Sequence, residues 1–274
     1  MTSLVNLLLS PFQFDFMIKA FIISLVIAIP MALLSCFLVV KDWSLIGDAI
    51  SHATFPGIVI AYILGYPYSL GAFIAGLFSA IGTGLLKENT RIKQDTAMGI
   101  LFASLFALGI VLSVNIRPDI HLDDILFGDV LGISLNDIQF TSILAILITA
   151  IFIIKWKDFL VYSFDPAQAK ALGISIKWLH YGFLSLISLT IISALQAVGI
   201  ILSIALLIAP GAISLLLTKK FTEMLCLALG ISILSSFSGV YLSFFLNSAS
   251  APTIVLCFAS LFLSAFLYRN IKSK

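Results

Sequence analysis

The sequence predicts an all-α fold, a polytopic transmembrane helical bundle of about eight or nine spans, and three observations lead to that class. Hydrophobic residues make up 61% of the 274 residues and charged residues only 10%, whereas about a quarter of a soluble domain is charged. The apolar residues form repeated stretches of about 20 residues, the length that a helix needs to cross a hydrocarbon core of about 30 Å. Basic residues collect in alternate connecting segments. We therefore expect residues 1–274 to form one integral membrane domain.

Hydropathy divides the chain into nine candidate spans, each bounded by charged or turn-forming residues. Two divisions are weak. Gly65 to Pro67 must turn the chain between the second and third spans, and only Gln196 to Gly199 separates the sixth span from the seventh. Either division could be a broken helix instead of a hairpin. The candidate spans are 17–40, 48–65, 67–86, 96–115, 137–155, 180–196, 198–218, 222–246 and 252–268.

The basic residues test this count, because cytoplasmic loops of membrane proteins carry an excess of Lys and Arg. With nine spans and an external N-terminus, 13 of the 15 basic residues fall in cytoplasmic segments. Lys19 and Arg117 are the two that do not. The formal net charge of +2 is too small to indicate a nucleic-acid partner. The apolar spans indicate membrane lipid as the surroundings of this chain.

The external loop between the fourth and fifth spans is locally acidic. Asp119, Asp123 and Asp124 lie there together with His121. An acidic mouth would raise the local concentration of cations, so these residues could form an outer vestibule. An ordinary solvated loop that obeys the same charge rule explains them as well, and both interpretations stay open.

Two ionisable residues, Asp48 and His52, occur at the start of the second span. Residues four apart share one face of a helix, and a carboxylate with an imidazole is a donor set suited to Mn(II), Fe(II) or Zn(II) more than to Ca(II). Ionisable groups at membrane depth are costly and usually functional. The alternative is that Asp48 caps the helix and that His52 hydrogen-bonds to a neighbouring helix.

Pro56 and Gly57 follow this pair closely, and we expect them to break the second span. Irregular backbone at membrane depth is tolerated where it is buried or lines a cavity. The expected break therefore favours a metal-binding pair over a cap and a core histidine.

A short helix is predicted in the cytoplasmic segment between the fifth and sixth spans. Asp165 is suited to the N-cap, Pro166 to the first helical position and Gly173 to the stop. Its small, partly apolar surface suits either a groove on another protein or the membrane interface. His180, which borders the next span, is expected at the membrane interface. The apolar surface comprises Phe164, Ala167, Ala169, Ala171 and Leu172.

The sequence holds no P-loop of the form GxxxxGK followed by Ser or Thr, and no HExxH or Ser/His/Asp constellation. Catalysis by this chain is therefore not expected, and an ATPase, if ATP powers transport, must be a separate subunit. Cys36, Cys226 and Cys257 lie in apolar stretches without CxxC spacing, which is typical of buried apolar side chains. No permanently bound cofactor is expected.

Three stretches resemble the permease subunits of metal-type ABC importers, the ABC-3-like family for manganese, zinc and iron. They are residues 44–53 (SLIGDAISHA) followed by Pro56 and Gly57, residues 163–173 (SFDPAQAKALG), and residues 197–211 (AVGIILSIALLIAPG). They occur in the family's order, and the general resemblance covers nearly the whole chain. Gly211 stands where many relatives are expected to have Ala, a difference that we treat as neutral.

The resemblance implies a function and a set of partners. Asp48 and His52 match the intramembrane metal ligands, residues 164–173 match the helix that couples the permease to its ATPase, and Pro210 fits a helix-breaking position that supports gating. It also implies a cytoplasmic ATP-binding subunit, an extracytoplasmic metal-binding protein and a second permease subunit, in a bacterial inner membrane. Import of a divalent metal by alternating access would follow. The coupling assignment rests on Phe164, Asp165, Pro166, Ala167, Ala171 and Gly173.

A second hypothesis assigns the chain to another class of transport protein. The same Asp48 and His52 could relay protons or metal ions in a secondary carrier or channel that has no ATPase. Association with an ATP-binding subunit distinguishes the importer from this carrier.

Overall fold

The computed structural model describes residues 8–43, 45–91, 94–116, 130 and 132–272, and within these ranges the chain is helical and has no strand. A short 3-10 helix, Ser10–Gln13, precedes the α-helices. The α-helices are α1 (Asp15–Val40), α2 (Ile46–Leu64), α3 (Tyr68–Asn89), α4 (Gln94–Ile116), α5 (Leu135–Phe164), α6 (Pro166–Ala171), α7 (Ile176–Leu217), α8 (Phe221–Leu246) and α9 (Ser250–Lys272).

Nine segments of the described chain are long and apolar enough to cross a membrane, which confirms the predicted fold class. α7 supplies two of them, Ile176–Leu195 and Ala197–Leu217. Gly199, the third residue of the second segment, has φ 77° and ψ 175°, a conformation open to glycine but not to residues with a side chain.

The chain reverses direction within α7. The ring of His180 contacts Trp43, just before α2. Leu207 packs against Gly47, which follows Trp43 by only four residues. A straight helix would place residues 180 and 207 about 40 Å apart. The sixth and seventh spans are therefore two segments joined by a sharp turn.

The second and third spans form a hairpin. Gly65 ends α2 in the left-handed conformation with φ 70°, and Pro67 precedes α3. The two backbones touch where Gly57 faces Gly71, since a Cβ on either glycine would overlap the carbonyl oxygen of the other. Close crossing of small residues is a common way of packing helices in membranes, so the alternative of one broken helix is wrong here.

The core of the bundle lies around α1, which packs against α5, α7 and α8. Four buried aromatic rings from α1, α5 and α7 meet near the end of α1: Phe37, Phe152, Phe159 and Phe183. Their centroids are 5.2 to 6.4 Å apart, within the favourable range for aromatic pairs. This cluster packs α1, α5 and α7 together near the end of α5, just before the short helix α6 begins.

Candidate metal centre

Asp48 and His52 lie on one face of α2, as their spacing predicts. α2 begins at Ile46, so Asp48 is in its first turn; the N-cap residue is Leu45, and no side chain caps the helix. The interpretation of Asp48 as the N-cap is therefore wrong. His52 follows one turn later, and its Nε2 lies 3.3 Å from Asp48 Oδ1. An oxygen and a nitrogen donor thus face the same small space.

The imidazole of His52 is held between two rings of α4. The ring centroid of His52 is 4.9 Å from that of Phe102 and 5.1 Å from that of Phe106. Its Nδ1 is buried and has no hydrogen-bond partner among the described residues. A ligating histidine usually donates its second N–H to a carboxylate, carbonyl or water. Among the described residues, the two aromatic rings and Asp48 are the contacts that restrain the imidazole.

One chain offers an incomplete site. The side chain of Asp48 is 39% exposed and that of His52 20% exposed, so the pair opens to the surface of this chain. Among the residues that the structure describes, no group of three or more His, Cys, Asp and Glu could hold a metal ion together. Transition metals take four or more donors in proteins. The geometry therefore fits a half-site.

Pro56 and Gly57 do not interrupt α2, so the predicted break is wrong. The helix is continuous from Ile46 to Leu64 with Pro56 inside it, because neighbouring helices accommodate both residues. Pro56 packs against α4 at Gly109, where an added Cβ would lie 2.9 Å from the Pro56 nitrogen. Gly57 provides the crossing with α3. Proline nevertheless removes one helical hydrogen bond, the one that the carbonyl of His52 would accept.

Pro210 is also inside a helix, and the break in α7 occurs at Gly199 instead. Ser35 on α1 hydrogen-bonds to the backbone on both sides of Pro210. Its Oγ donates to the carbonyl of Ile208 at 3.1 Å and accepts from the N–H of Gly211 at 2.8 Å. A Cβ on Gly211 would lie 2.6 Å from the Ser35 carbonyl oxygen. Gly211 is therefore not a neutral difference, since alanine does not fit there.

The short cytoplasmic helix is confirmed as α6. Asp165 Oδ1 accepts from the N–H groups of Ala167 at 2.8 Å and Gln168 at 3.1 Å, and Pro166 is the first helical residue. Gly173 has φ 78° and ends the helix with the paired hydrogen bonds of a Schellman motif. The capping residues read from the sequence therefore set both ends of this helix.

The outer surface of α6 is apolar at its edges. Phe164 is 63% exposed and Leu172 is 62% exposed, and Ala167 and Ala171 are also exposed. Ala169 is fully buried, so its predicted place on this surface is wrong. Phe164, Ala167, Ala171 and Leu172 therefore form a small exposed apolar surface. The proposed vestibule residues Asp119, His121, Asp123 and Asp124 lie outside the described residues.

Sequence reasoning missed the long-range partners of the site. Phe102 and Phe106 have helical spacing, but nothing in the sequence pairs them with His52. The crossing of α2 and α3 did leave a signal, because Gly57 with Ala61 and Gly71 with Ala75 are small residues spaced four apart.

The described part of the chain is a helical bundle with nine candidate membrane spans, the class of a polytopic membrane protein. Comparison with known proteins gives the family. The ABC 3 transport family model matches residues 13–269. The chain is 49% identical over 265 residues to a "Probable iron transport system membrane protein" of Haemophilus influenzae, covering 97% of this chain and 98% of that protein. It is 42% identical to the "Manganese transport system membrane protein MntB" of Synechocystis sp., covering 95% and 85%.

A solved structure is similar throughout. The structure described as "PsaBC from Streptococcus pneumoniae in complex with Fab" superposes with a TM-score of 0.85 at 35% identity, covering 96% of this chain and 95% of that chain. The chain belongs to the ABC 3 transport family, which confirms the resemblance to permeases of metal-type ABC importers. It is a multi-pass protein of the bacterial cell membrane.

Proposed function

We propose that this permease, a single domain over residues 1–274, carries a divalent transition metal ion into the cytoplasm at the expense of ATP hydrolysed by a separate subunit. The observation that supports this most is the pair of donors 3.3 Å apart on one face of α2. A carboxylate and a neutral imidazole suit Mn(II), Fe(II) and Zn(II). The names of relatives refer to iron and manganese, in keeping with this class of ion.

The half-site becomes a full site when a second permease subunit, identical or related, faces the first. Two Asp48 and two His52 side chains then supply four donors, the number common in transition-metal sites. His52 Nδ1 has no hydrogen-bond partner in the described part of the chain. This supports a weak site, because outer partners of a ligating histidine raise metal affinity by about 10- to 100-fold. A transport site must release its ion, so weakness suits this role.

Two further partners are part of the proposal. An ATP-binding subunit is proposed to dock on the exposed residues Phe164, Asp165, Pro166, Ala167, Ala171 and Gly173. An extracytoplasmic metal-binding protein is proposed to deliver the ion, with the acidic loop around Asp123 as the outer vestibule. No resident cofactor and no nucleic acid enters this scheme.

Alternating access is the proposed mechanism of passage. The ion enters from outside, is held by the paired Asp48 and His52, and leaves inward when ATP-driven movement of α6 shifts the helices attached to it. Ile208 and Gly211, on either side of Pro210, are hydrogen-bonded to Ser35 on α1. They lie close in sequence to Leu207, which contacts Gly47 beside Asp48. This proximity supports a gating role for the segment around Pro210.

Uptake in liposomes tests the proposal. The permease is reconstituted with its ATP-binding subunit and binding protein, and uptake of Mn(II), Fe(II) and Zn(II) is measured with and without ATP. We expect ATP-dependent uptake that Asp48→Asn and His52→Gln reduce by about tenfold or more. Asp158→Asn, an exposed carboxylate paired with Lys155, is the matched control and should leave uptake unchanged.

Two results would contradict the proposal. Uptake at the wild-type rate by folded, assembled Asp48→Asn and His52→Gln variants would remove the metal-site assignment. Uptake by the permease alone, without ATP and without the ATP-binding subunit, would identify a secondary carrier or channel instead.

A further inference from the structure

The turn between α1 and α2 directly precedes the helix that carries Asp48 and His52, and Trp43 is the buried residue of this turn. Lys41, Asp42 and Trp43 form this turn; Asp42 has φ 56°, and the Trp43 ring is buried. The Trp43 carbonyl accepts from the N–H of Ile46 at 3.1 Å, so the turn is bonded to the first residue of α2. Asp48 follows only five residues after Trp43. Any displacement of this turn therefore acts directly on the start of α2.

The same turn is attached to the end of α5. Lys41 Nζ donates to the carbonyl of Tyr162 at 3.4 Å and lies 3.4 Å from the centroid of the Tyr162 ring. It also lies 4.6 Å from the centroid of Trp43. The contacts of Lys41 Nζ with the two rings are cation–π interactions. Tyr162 is buried and precedes Asp165, the N-cap of α6, by three residues. The ammonium group of Lys41 thus connects the turn before α2 to the segment that leads into α6.

His180 completes the attachment. The sequence predicts a side chain that reaches to the membrane interface, but the His180 ring is buried among the helices. It is 8% exposed, and its Nδ1 shares a hydrogen bond of 2.6 Å with the Tyr162 hydroxyl. Its ring meets Trp43 edge to face at 5.5 Å. An added Cβ on Gly84 would lie 3.0 Å from His180 Nε2, so α3 packs tightly on the same ring. The buried hydroxyl of Tyr162 explains why a polar ring is tolerated here.

We infer that Lys41, Trp43, Tyr162 and His180, called the inner joint, transmit movement of α6 to the helix that carries Asp48 and His52. They are positioning residues and touch no metal ion. Packed, hydrogen-bonded interiors deform little and so pass displacements on. Three residues lie between Tyr162 and the first residue of α6, and four lie between Trp43 and Asp48. The inference rests on the proposed function, because it assumes that an ATP-binding subunit moves α6.

A plain packing role is the competing explanation, and the two predict different measurements. If the inner joint only stabilises the bundle, weakening it lowers the amount of intact transporter, and ATP hydrolysis and metal uptake decline together. If it transmits movement, weakening it leaves hydrolysis while uptake declines. The number of metal ions carried per ATP hydrolysed separates these cases.

The test uses Tyr162→Phe in the complete reconstituted transporter, with ATP hydrolysis and Mn(II) uptake measured in the same vesicles. This change removes the hydroxyl bonded to His180 and keeps the ring below Lys41. We expect Mn(II) uptake per ATP to decrease about threefold or more, with the assembled complex and its hydrolysis rate retained. Tyr268→Phe, at an exposed tyrosine of α9, is the matched control and should leave the ratio unchanged.

A double variant strengthens the test. If Tyr162 and His180 act through their shared hydrogen bond, Tyr162→Phe combined with His180→Ala lowers the ratio no further than His180→Ala alone. Lys41→Met weakens the joint independently and should also lower the ratio. An unchanged ratio in these variants, or a parallel loss of hydrolysis and uptake, overturns the inference. Absence of ATP-dependent uptake by the wild-type complex would instead count against the proposed function.

Discussion

Ser35 on α1 binds Gly211 on α7 through a hydrogen bond of 2.8 Å from the Gly211 N–H to the Ser35 hydroxyl. The two backbones approach so closely that a Cβ on Gly211 would lie 2.6 Å from both the carbonyl oxygen and the hydroxyl oxygen of Ser35. This contact ties the seventh span to the central helix beside Pro210.

Gly211→Ala should therefore destabilise the permease, because α1 and α7 must separate to admit the methyl group. We expect a loss of about 1–3 kcal/mol, the usual effect of overpacking, seen as a lower melting temperature in detergent. Gly182→Ala is the matched control on the same helix, since an added Cβ there meets no atom within 4 Å. Equal melting temperatures for Gly211→Ala and wild type would show that the contact is not tight in solution.

The crossing of α2 and α3 gives a second stability prediction. Gly71→Val places a branched side chain against the carbonyl of Gly57, and the hairpin that positions Asp48 and His52 must open. We expect little folded protein after detergent extraction, measured by size-exclusion chromatography. Gly230→Ala in α8 meets no atom within 4 Å and should extract as wild type does. A monodisperse Gly71→Val permease would contradict the close crossing.

The aromatic rings around His52 should affect metal binding. Phe102→Leu and Phe106→Leu keep the site apolar but remove the flat surfaces beside the imidazole, so the ring becomes less well oriented. We expect the Kd for Mn(II) to rise up to about tenfold, measured from the free-ion signal in electron paramagnetic resonance. Phe266→Leu, at an exposed position of α9, should leave the Kd unchanged. Wild-type affinity in both α4 variants would exclude a positioning role.

The cap of α6 can be separated from the charge of Asp165. Asp165→Ala removes the acceptor of two N–H groups and should destabilise this short helix by about 1 kcal/mol. Co-purification of the ATP-binding subunit should decrease. Asp165→Asn retains a capping side chain and should restore co-purification. If both variants bind the subunit as wild type does, α6 is not its docking element.

The sequence was sufficient for the fold class, because hydropathy and charge placement are averaged over whole spans. Local signals were equally reliable where neighbouring residues act on one another, as with Asp165, Pro166 and Gly173 around α6. Both kinds of prediction depend on short stretches of chain. Tertiary packing did not need to be known.

Predictions that depended on packing failed. Pro56 and Gly57 do not break α2, because Gly109 of α4 and Gly71 of α3 make room for them. His180 is buried because Tyr162, 18 residues earlier, bonds to it. The rings of Phe102 and Phe106 beside His52 are likewise contacts between separate helices. Such partners are set by three-dimensional packing. Apart from the small residues at the crossing of α2 and α3, one sequence contains no direct signal for them.

Equilibrium dialysis of the purified permease with radioactive Mn(II) tests most directly whether two chains share one metal site. We expect one ion for every two permease chains, and no saturable binding by Asp48→Asn or His52→Gln. Wild-type binding by these variants, in folded protein that elutes as wild type does, would contradict the assignment of Asp48 and His52. One ion for every single chain would contradict the shared site.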